Sequence, residues 1–402
     1  LFYSRYARND IFMAVWTLAI VVLMWRFIEE KKNIYLYMIA MVLALAFTTK
    51  ETTFIVVAIF GSYLFIVSSP DWMPWIFRRQ KKLIESHVSE DTYRYVPGYG
   101  FRYGSFNIRH RLSKFSSPGI LLLLFGTLTL PQAAATISLF DVVFSRFNII
   151  LANNEAPIGA PSGQLIINVQ GLTLTTGMIF ASIWIMLLIL ISCALGISWN
   201  RTVWFRCASI FYCVWLLLYT SLMTNLVGIG SGIWQGLGYW ILQHEVNRGD
   251  QPWYYYIMVL PVYEALPFLL SVIACIYYIF RGDRFSRFLV YWTIMSLLLY
   301  SIAGEKMPWL VVNIVLPMII ITGKFIGDLI SEVEWEKVRS FRGIYLMPAT
   351  ILLIYLAFRL ILYQVEPDNL MNFMGFWALS FIMIAVLGLS YKCLVSIGLA
   401  NA

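Results

Sequence analysis

The spacing of charge restricts this fold more than any other feature. Eleven runs of mostly apolar residues recur from one end of the chain to the other, at 11–27, 34–48, 54–69, 120–137, 178–197, 207–223, 257–280, 288–302, 310–322, 344–362 and 373–389. Several fall short of the roughly 20 residues that cross a bilayer, and their uncharged flanks make up the difference. Hydrophobic residues make up 60% of the chain and charged ones 12%, against about 45–50% and about 25% in a soluble domain. The runs are too long for barrel strands, and inside lipid every backbone polar group needs an internal partner. The expectation is an all-α membrane protein, a polytopic bundle of about 11 transmembrane helices forming one multi-span domain over 1–402.

Basic residues give the bundle an orientation. Taken alternately, one set of connections holds 22 Lys and Arg, nine of them between Arg78 and Lys114. The other set holds 6: Arg5, Arg8, Lys50, Arg146, Arg248 and Lys306. Arg359 lies inside a run. The positive-inside rule puts the first set in the cytoplasm. The basic loop 70–118 is then cytoplasmic, and loops 139–174 and 226–254 face outward. The same rule resolves the stretch 288–322, whose only charged residues are Glu305 and Lys306. As one helix it would be about 52 Å long, too long for a hydrocarbon core of about 30 Å. Both its ends are flanked by basic, inner connections. The chain therefore reverses near Gly304, with Pro308 stopping the first helix, and the Glu–Lys pair sits at an outer hairpin tip.

The outer connections collect the unusual residues. They read "YSRYARND" (3–10), "TTKE" (48–51), "YWILQHEVNRGDQPWYYY" (239–256) and "GEKMPW" (304–309). Glu264 lies within a run, between Pro261 and Pro267. An ionisable group in a span is costly and by default faces a polar cavity or a partner. Lys50, Glu51, Glu264 and Lys306 fall at similar depth on four segments, which suggests one polar cavity open to the outer face. Plainer readings stand beside this one. Lys50 and Lys306 can snorkel to headgroups. Trp253, Tyr254, Tyr255, Tyr256 and Trp309 can form an interfacial aromatic belt. His244 can be an ordinary loop residue.

Other classes are disfavoured. The basic inner loop suits anionic lipid and has no folded nucleic-acid-binding module. No Walker motif, phosphate-binding glycine loop or zinc signature occurs. The five cysteines (Cys193, Cys207, Cys213, Cys275, Cys393) lie in or beside apolar runs without disulfide or metal spacing. A divalent metal is left open, with no ligand cluster arguing for one.

"SRYARNDIFMAVW", "TTKET", "RGDQPWYYY", "PVYEALP" and "AGEKMPWL" together resemble a bacterial and archaeal family related to dolichyl-phosphate-mannose protein mannosyltransferases. That family is sometimes labelled flippase-activity-associated and belongs to the GT-C superfamily of membrane glycosyltransferases. The resemblance runs over about 1–322. It implies transfer of a sugar from a polyprenyl-phosphate donor to a protein, lipid or glycan acceptor at the outer face of the plasma membrane. Such enzymes usually carry an essential acid in the first outer loop. The sequence is expected to be a fragment that starts after that loop.

On this resemblance, Lys306, Arg8 and Lys50 are candidates to stabilise charge on the leaving phosphate. Asp10 is the candidate catalytic base of this segment, and Glu305 positions Lys306 or shares its catalytic role. Glu264 either positions a cation or contacts sugar hydroxyls. Trp253, Tyr254 and Tyr255 offer flat faces to sugar rings. Arg5, Glu51, His244, Arg248 and Trp309 complete the substrate-binding candidates. Two rival readings remain: a transporter or flippase of lipid-linked sugars, for which no internal repeat is found, and a non-catalytic assembly subunit.

Overall fold

The computed structural model describes residues 9–73, 112, 115–140, 143–144, 146, 165–169, 172–226, 228–238, 240–241, 251–304, 306–332, 345–364 and 370–397. Most of the basic loop 70–118 lies outside this set, as do parts of both outer loops. The chain divides into two compact units, Leu1–Ile321 and Thr322–Ala402.

The first helix shows how the larger unit is built. In α1 (Asn9–Glu30) the buried residues include Asp10, Met13, Thr17, Ile20, Met24 and Phe27, a stripe with alternating steps of three and four. Ile11, Val15, Leu18 and Val22 form an exposed stripe. Both stripes are apolar, as expected where the outward face meets lipid rather than water. Asp10 is thus on the protein-facing side. α1 packs against α2 (Asn33–Thr49), and α3 (Thr53–Val67) comes next after a short turn.

Contacts at the two ends fix the sense of each helix. Trp25, near the end of α1, packs on Phe285 and Phe288 at 4.9 Å between ring centres. Tyr63, near the end of α3, packs 5.0 Å from Phe288 and donates to the Arg284 carbonyl at 3.4 Å. The ends of α1 and α3 therefore lie beside the start of α9 (Arg284–Ile302). The basic residues Arg26, Lys31 and Lys32 flank the end of α1, and Arg284 and Arg287 open α9. At the opposite end of these helices are Asp10, Lys50 and the chain reversal after Ile302.

Several helices bend at identifiable residues. α4 (Ser117–Thr129) and the 3-10 helix α5 (Pro131–Phe140) meet at 71°. Ser116 caps α4, accepting from the Gly119 amide at 3.4 Å. The Asp71 carboxylate accepts from both the Ser116 amide and its hydroxyl. The long element α6 (Thr176–Tyr219) contains a break at Asn200 (φ −154°, ψ 101°). The Asn200 side chain caps the second half of α6 by accepting from the Val203 amide at 3.2 Å. A Cβ on Gly196 would collide with the Trp204 ring. Ser192 and Trp204 both reach Thr127, through its carbonyl and its hydroxyl respectively. Residues twelve apart on one straight helix would be about 18 Å apart along the axis, so α6 folds back on itself at Asn200. α7 (Tyr255–Tyr263) and α8 (Ala265–Arg281) meet at 112°. Pro267 is the cause: it has no amide for the Tyr263 carbonyl, and its ring excludes a straight helix there.

After α9 the chain turns through Ala303 and Gly304 into a 3-10 turn (Pro308–Leu310) and α10 (Val311–Glu332). By length and composition, five described helices suffice to cross a membrane, or up to seven if each bent pair is one span. Asn33–Thr49, Thr53–Val67 and Pro348–Ile361 are apolar but shorter. The eleven expected runs therefore yield between five and seven qualifying helices, because bends and short helices divide the apolar sequence. The region 139–174, expected as a plain outer loop, contains an antiparallel hairpin, β1 (Leu165–Val169) and β2 (Leu172–Thr175), with Leu165 opposite Thr175 and Val169 opposite Leu172. The protein is thus a helical membrane protein with one small β-hairpin among the described residues.

In the smaller unit, α11 (Leu346–Ile361) packs on α12 (Leu370–Ile397). Between them, Tyr363 donates to the Asn372 carbonyl at 2.7 Å. Gly375 makes room for that ring, since a Cβ there would stand 2.5 Å from the Tyr363 hydroxyl.

Two glycines test this packing. Gly196→Ala is expected to destabilise by about 1–3 kcal/mol through overpacking against Trp204. Gly61→Ala, with nothing within 4 Å of its added methyl, should be neutral or stabilising by up to about 1 kcal/mol. Denaturation of the two variants in detergent, beside the unmodified protein, separates these outcomes.

Candidate functional site

The charged residues meet at the end of the larger unit where α1 and α3 begin. Asp10 lies in the first turn of α1, where a carboxylate is favoured by the unpaired amides and the helix dipole. Lys50 comes directly after α2 in extended conformation (φ −165°, ψ 149°). Its Nζ donates to Asp10 Oδ1 at 2.5 Å, with the side chains 19% and 5% exposed. The turn carrying Lys50 is braced locally. Trp16 donates its indole N–H to Thr49 at 3.1 Å, and Thr53 donates to the Lys50 carbonyl at 2.8 Å. Losing one partner from a buried ion pair costs about 3–5 kcal/mol, because the other charge is left stranded.

The reversal after α9 joins this group through tyrosines. Tyr256 is fully buried and donates to the Met307 carbonyl at 3.1 Å. Tyr256, Tyr300, Leu310 and Ile314 form one buried cluster, against which Ile55, Tyr255, Met307 and Trp309 pack. Tyr300 packs in the same buried cluster as Tyr256. Its hydroxyl also approaches that of Thr52, but the geometry falls short of a hydrogen bond and both oxygens are buried without a partner. Next to Met307 stands Lys306, 7% exposed. Its Nζ donates to the Ala303 carbonyl at 3.0 Å. Among the described residues no carboxylate pairs with it.

Of the candidates read from the sequence, Asp10, Lys50, Lys306, Tyr255 and Trp309 are brought to this end. Glu51 lies against Gly236, with its Cγ 3.9 Å from where a Gly236 Cβ would stand. Glu264 is half-buried at the 112° break between α7 and α8 (φ −134°, ψ 46°) rather than inside a continuous span. Trp253 is 68% exposed and Tyr254 42%, with their rings edge to face at 5.7 Å. Arg5, Arg8, His244, Arg248 and Glu305 lie outside the described residues. Asp10, expected as a base, has its Oδ1 engaged by Lys50.

Thr52 and Tyr300 belong to the site without having been singled out by sequence, and Tyr256 was read only as one of the outer-face aromatics. Thr52 sits in "TTKETT" and Tyr256 in "WYYY", so both adjoined the right motifs. Tyr300 carries no such signal, being one aromatic among many in an apolar run. Among the described residues, no three His, Cys, Asp or Glu side chains come together to hold a metal ion.

Chemically, the arrangement offers two ammonium groups and several hydroxyls at one end of an apolar bundle, with one carboxylate already neutralised. Such a region attracts an anion. Comparison with protein families, with curated proteins and with solved structures finds no match to this chain.

The Tyr256 bond to Met307 is the direct tie between α7 and the reversal. Tyr256→Phe leaves that carbonyl with the Leu310 amide at 3.1 Å as its other donor and is expected to destabilise by about 0.5–1.5 kcal/mol, the net value of one hydrogen bond. An unchanged unfolding midpoint in detergent would show that the tie contributes nothing.

Proposed function

We propose that this chain is an integral-membrane glycosyltransferase of the GT-C kind. It moves a sugar from a polyprenyl-phosphate donor to a protein, lipid or glycan acceptor at the outer face of the plasma membrane. In this reading all eleven apolar runs take part in the membrane-embedded bundle, with the Asp10 end outward. The observation that supports it best is Lys306: an ammonium buried at a helix reversal, without a described carboxylate, at the same end as the Asp10–Lys50 pair. A buried ammonium is costly without a counter-charge, so an anionic ligand suits this position.

The chemistry rests on that placement. As the bond between the sugar and the phosphate oxygen breaks, its electron pair stays on that oxygen. Lys306, with Lys50 at the rim, stabilises the charge that develops there. The acceptor hydroxyl attacks the sugar carbon and passes its proton to a carboxylate. Asp10 Oδ2 is the candidate for that role, while Oδ1 keeps Lys50 in place. The exposed faces of Trp253 and Tyr254 suit sugar rings at the membrane boundary.

The test is release of polyprenyl phosphate by the full chain in proteoliposomes supplied with labelled polyprenyl-phosphate sugars. Lys306→Ala should lower release about 100-fold or more, the scale on which removing one charge-stabilising donor acts. Full turnover by that variant would remove Lys306 from the mechanism. Movement of the intact donor across the bilayer without cleavage would replace the transferase reading with a transporter.

A further inference from the structure

The turn that closes α6 has an uncommon backbone. Ser221, Leu222 and Met223 are consecutive and all left-handed, with φ of 49°, 59° and 68°. That conformation is costly for a residue with a Cβ, and turns that need it normally use glycine or asparagine. Packing does not explain the leucine and the methionine: Leu222 is 72% exposed, Met223 48% and the nearby Leu226 65%. The left-handed path lets the chain reverse with each amide from Thr220 to Asn225 hydrogen-bonded inside the segment. Thr220 and Ser221 donate to the Leu216 and Leu218 carbonyls, Leu222 to Leu217 at 2.7 Å, Thr224 to Ser221, and Asn225 to Thr220 at 2.9 Å. The Met223 amide donates to the Thr220 hydroxyl oxygen at 3.0 Å. That hydroxyl donates in turn to the Leu216 carbonyl at 2.7 Å.

We propose that the turn 220–226 is a lipid-inserted tip, with Leu222, Met223 and Leu226 lodged among the acyl chains of the leaflet at the Asp10 end. The amides carry most weight. Water satisfies open amides in a loop and hydrocarbon does not, so a turn in lipid has to close them internally. The surroundings are as apolar as the tip. No charged residue occurs from Cys207 to Gln243, and Leu217 and Leu218, one turn earlier on α6, are exposed in the same way. The lipid-facing surface of α6 thus runs on into the turn without a charge. Beyond the tip the chain returns to the bundle rather than to water. A Cβ on Gly228 would collide with the Tyr219 carbonyl oxygen, and Gly232 lies against the Trp215 ring. Trp234 is buried with Ala134, Ala135 and Leu188. The tip also has a fixed depth relative to the ion pair, because Tyr219 donates to the Phe47 carbonyl at 2.9 Å, three residues before Lys50. Lipid around the turn therefore sets the Asp10–Lys50 pair near headgroup level rather than above the membrane.

The test places a nitroxide-bearing amino acid at Leu222, and separately at Leu226, in the full chain. The labelled proteins are held in vesicles of phosphatidylcholine and phosphatidylglycerol. Power saturation then reads collisions of the label with dissolved oxygen and with a water-soluble nickel chelate loaded on both sides of the membrane. Ile183, 62% exposed on α6, is the lipid reference. Lys32, with 67% of its side chain exposed, is the water reference. A thermal midpoint equal to that of the unmodified chain shows that each labelled protein is folded. Both tip labels are expected to match Ile183. Their chelate collisions should fall about tenfold or more below those at Lys32, since a polar solute is excluded from hydrocarbon, while their oxygen collisions rise above those at Lys32. Chelate collisions equal to those at Lys32 overturn the proposal, because the tip then lies in water. Low collisions with both reagents also overturn it, because a protein surface, such as a second copy of this chain, then covers the tip.

Discussion

A buried ion pair in an otherwise apolar bundle organises the larger unit. Asp10 and Lys50 meet at 2.5 Å from elements forty residues apart. Neither charge is tolerable alone in that position, so the start of α1 and the α2–α3 turn are held to one level. The fully apolar alternative would pack as well, and in lipid there is little hydrophobic drive to tell one helix register from another. The ion pair supplies what apolar contacts lack, a single register. From there the level passes through Tyr300 to Tyr256 and Met307, and so to Lys306.

The opposite end is built differently. Trp25, Tyr63, Phe285 and Phe288 pack ring against ring, beside the arginines that open α9. One end is thus aromatic and basic on its outside, and the other is charged on its inside. That asymmetry gives the two ends of the bundle different electrostatic character.

Much of this was legible in the sequence. The reversal near Gly304 came from weighing length against charge, and the chain does turn between Ile302 and Pro308. Of the four groups expected to share one polar cavity, Lys50 and Lys306 lie at the same end of the bundle, whereas Glu51 lies against Gly236 and Glu264 at the α7–α8 break. The features that stayed hidden did so for physical reasons. Apolar runs do not show which face meets lipid, since both faces of α1 are equally greasy. The break at Asn200 depends on a capping side chain and on Trp204 closing over Gly196, neither of which interrupts the hydropathy. Pro261 and Pro267 announced a loosened helix, yet not a 112° turn that lifts Glu264 out of a continuous span. Tyr300 looked like any span aromatic until its hydroxyl was found beside that of Thr52.

If Asp10 and Lys50 act as one unit that holds the polar end together, a double-mutant cycle of Asp10→Asn and Lys50→Met, read out by unfolding in detergent, measures it directly. Each single change is predicted to cost about 3–5 kcal/mol, and the double variant to recover most of that loss. Losses that simply add would contradict this, because two charges that do not depend on each other cannot set the register of the bundle.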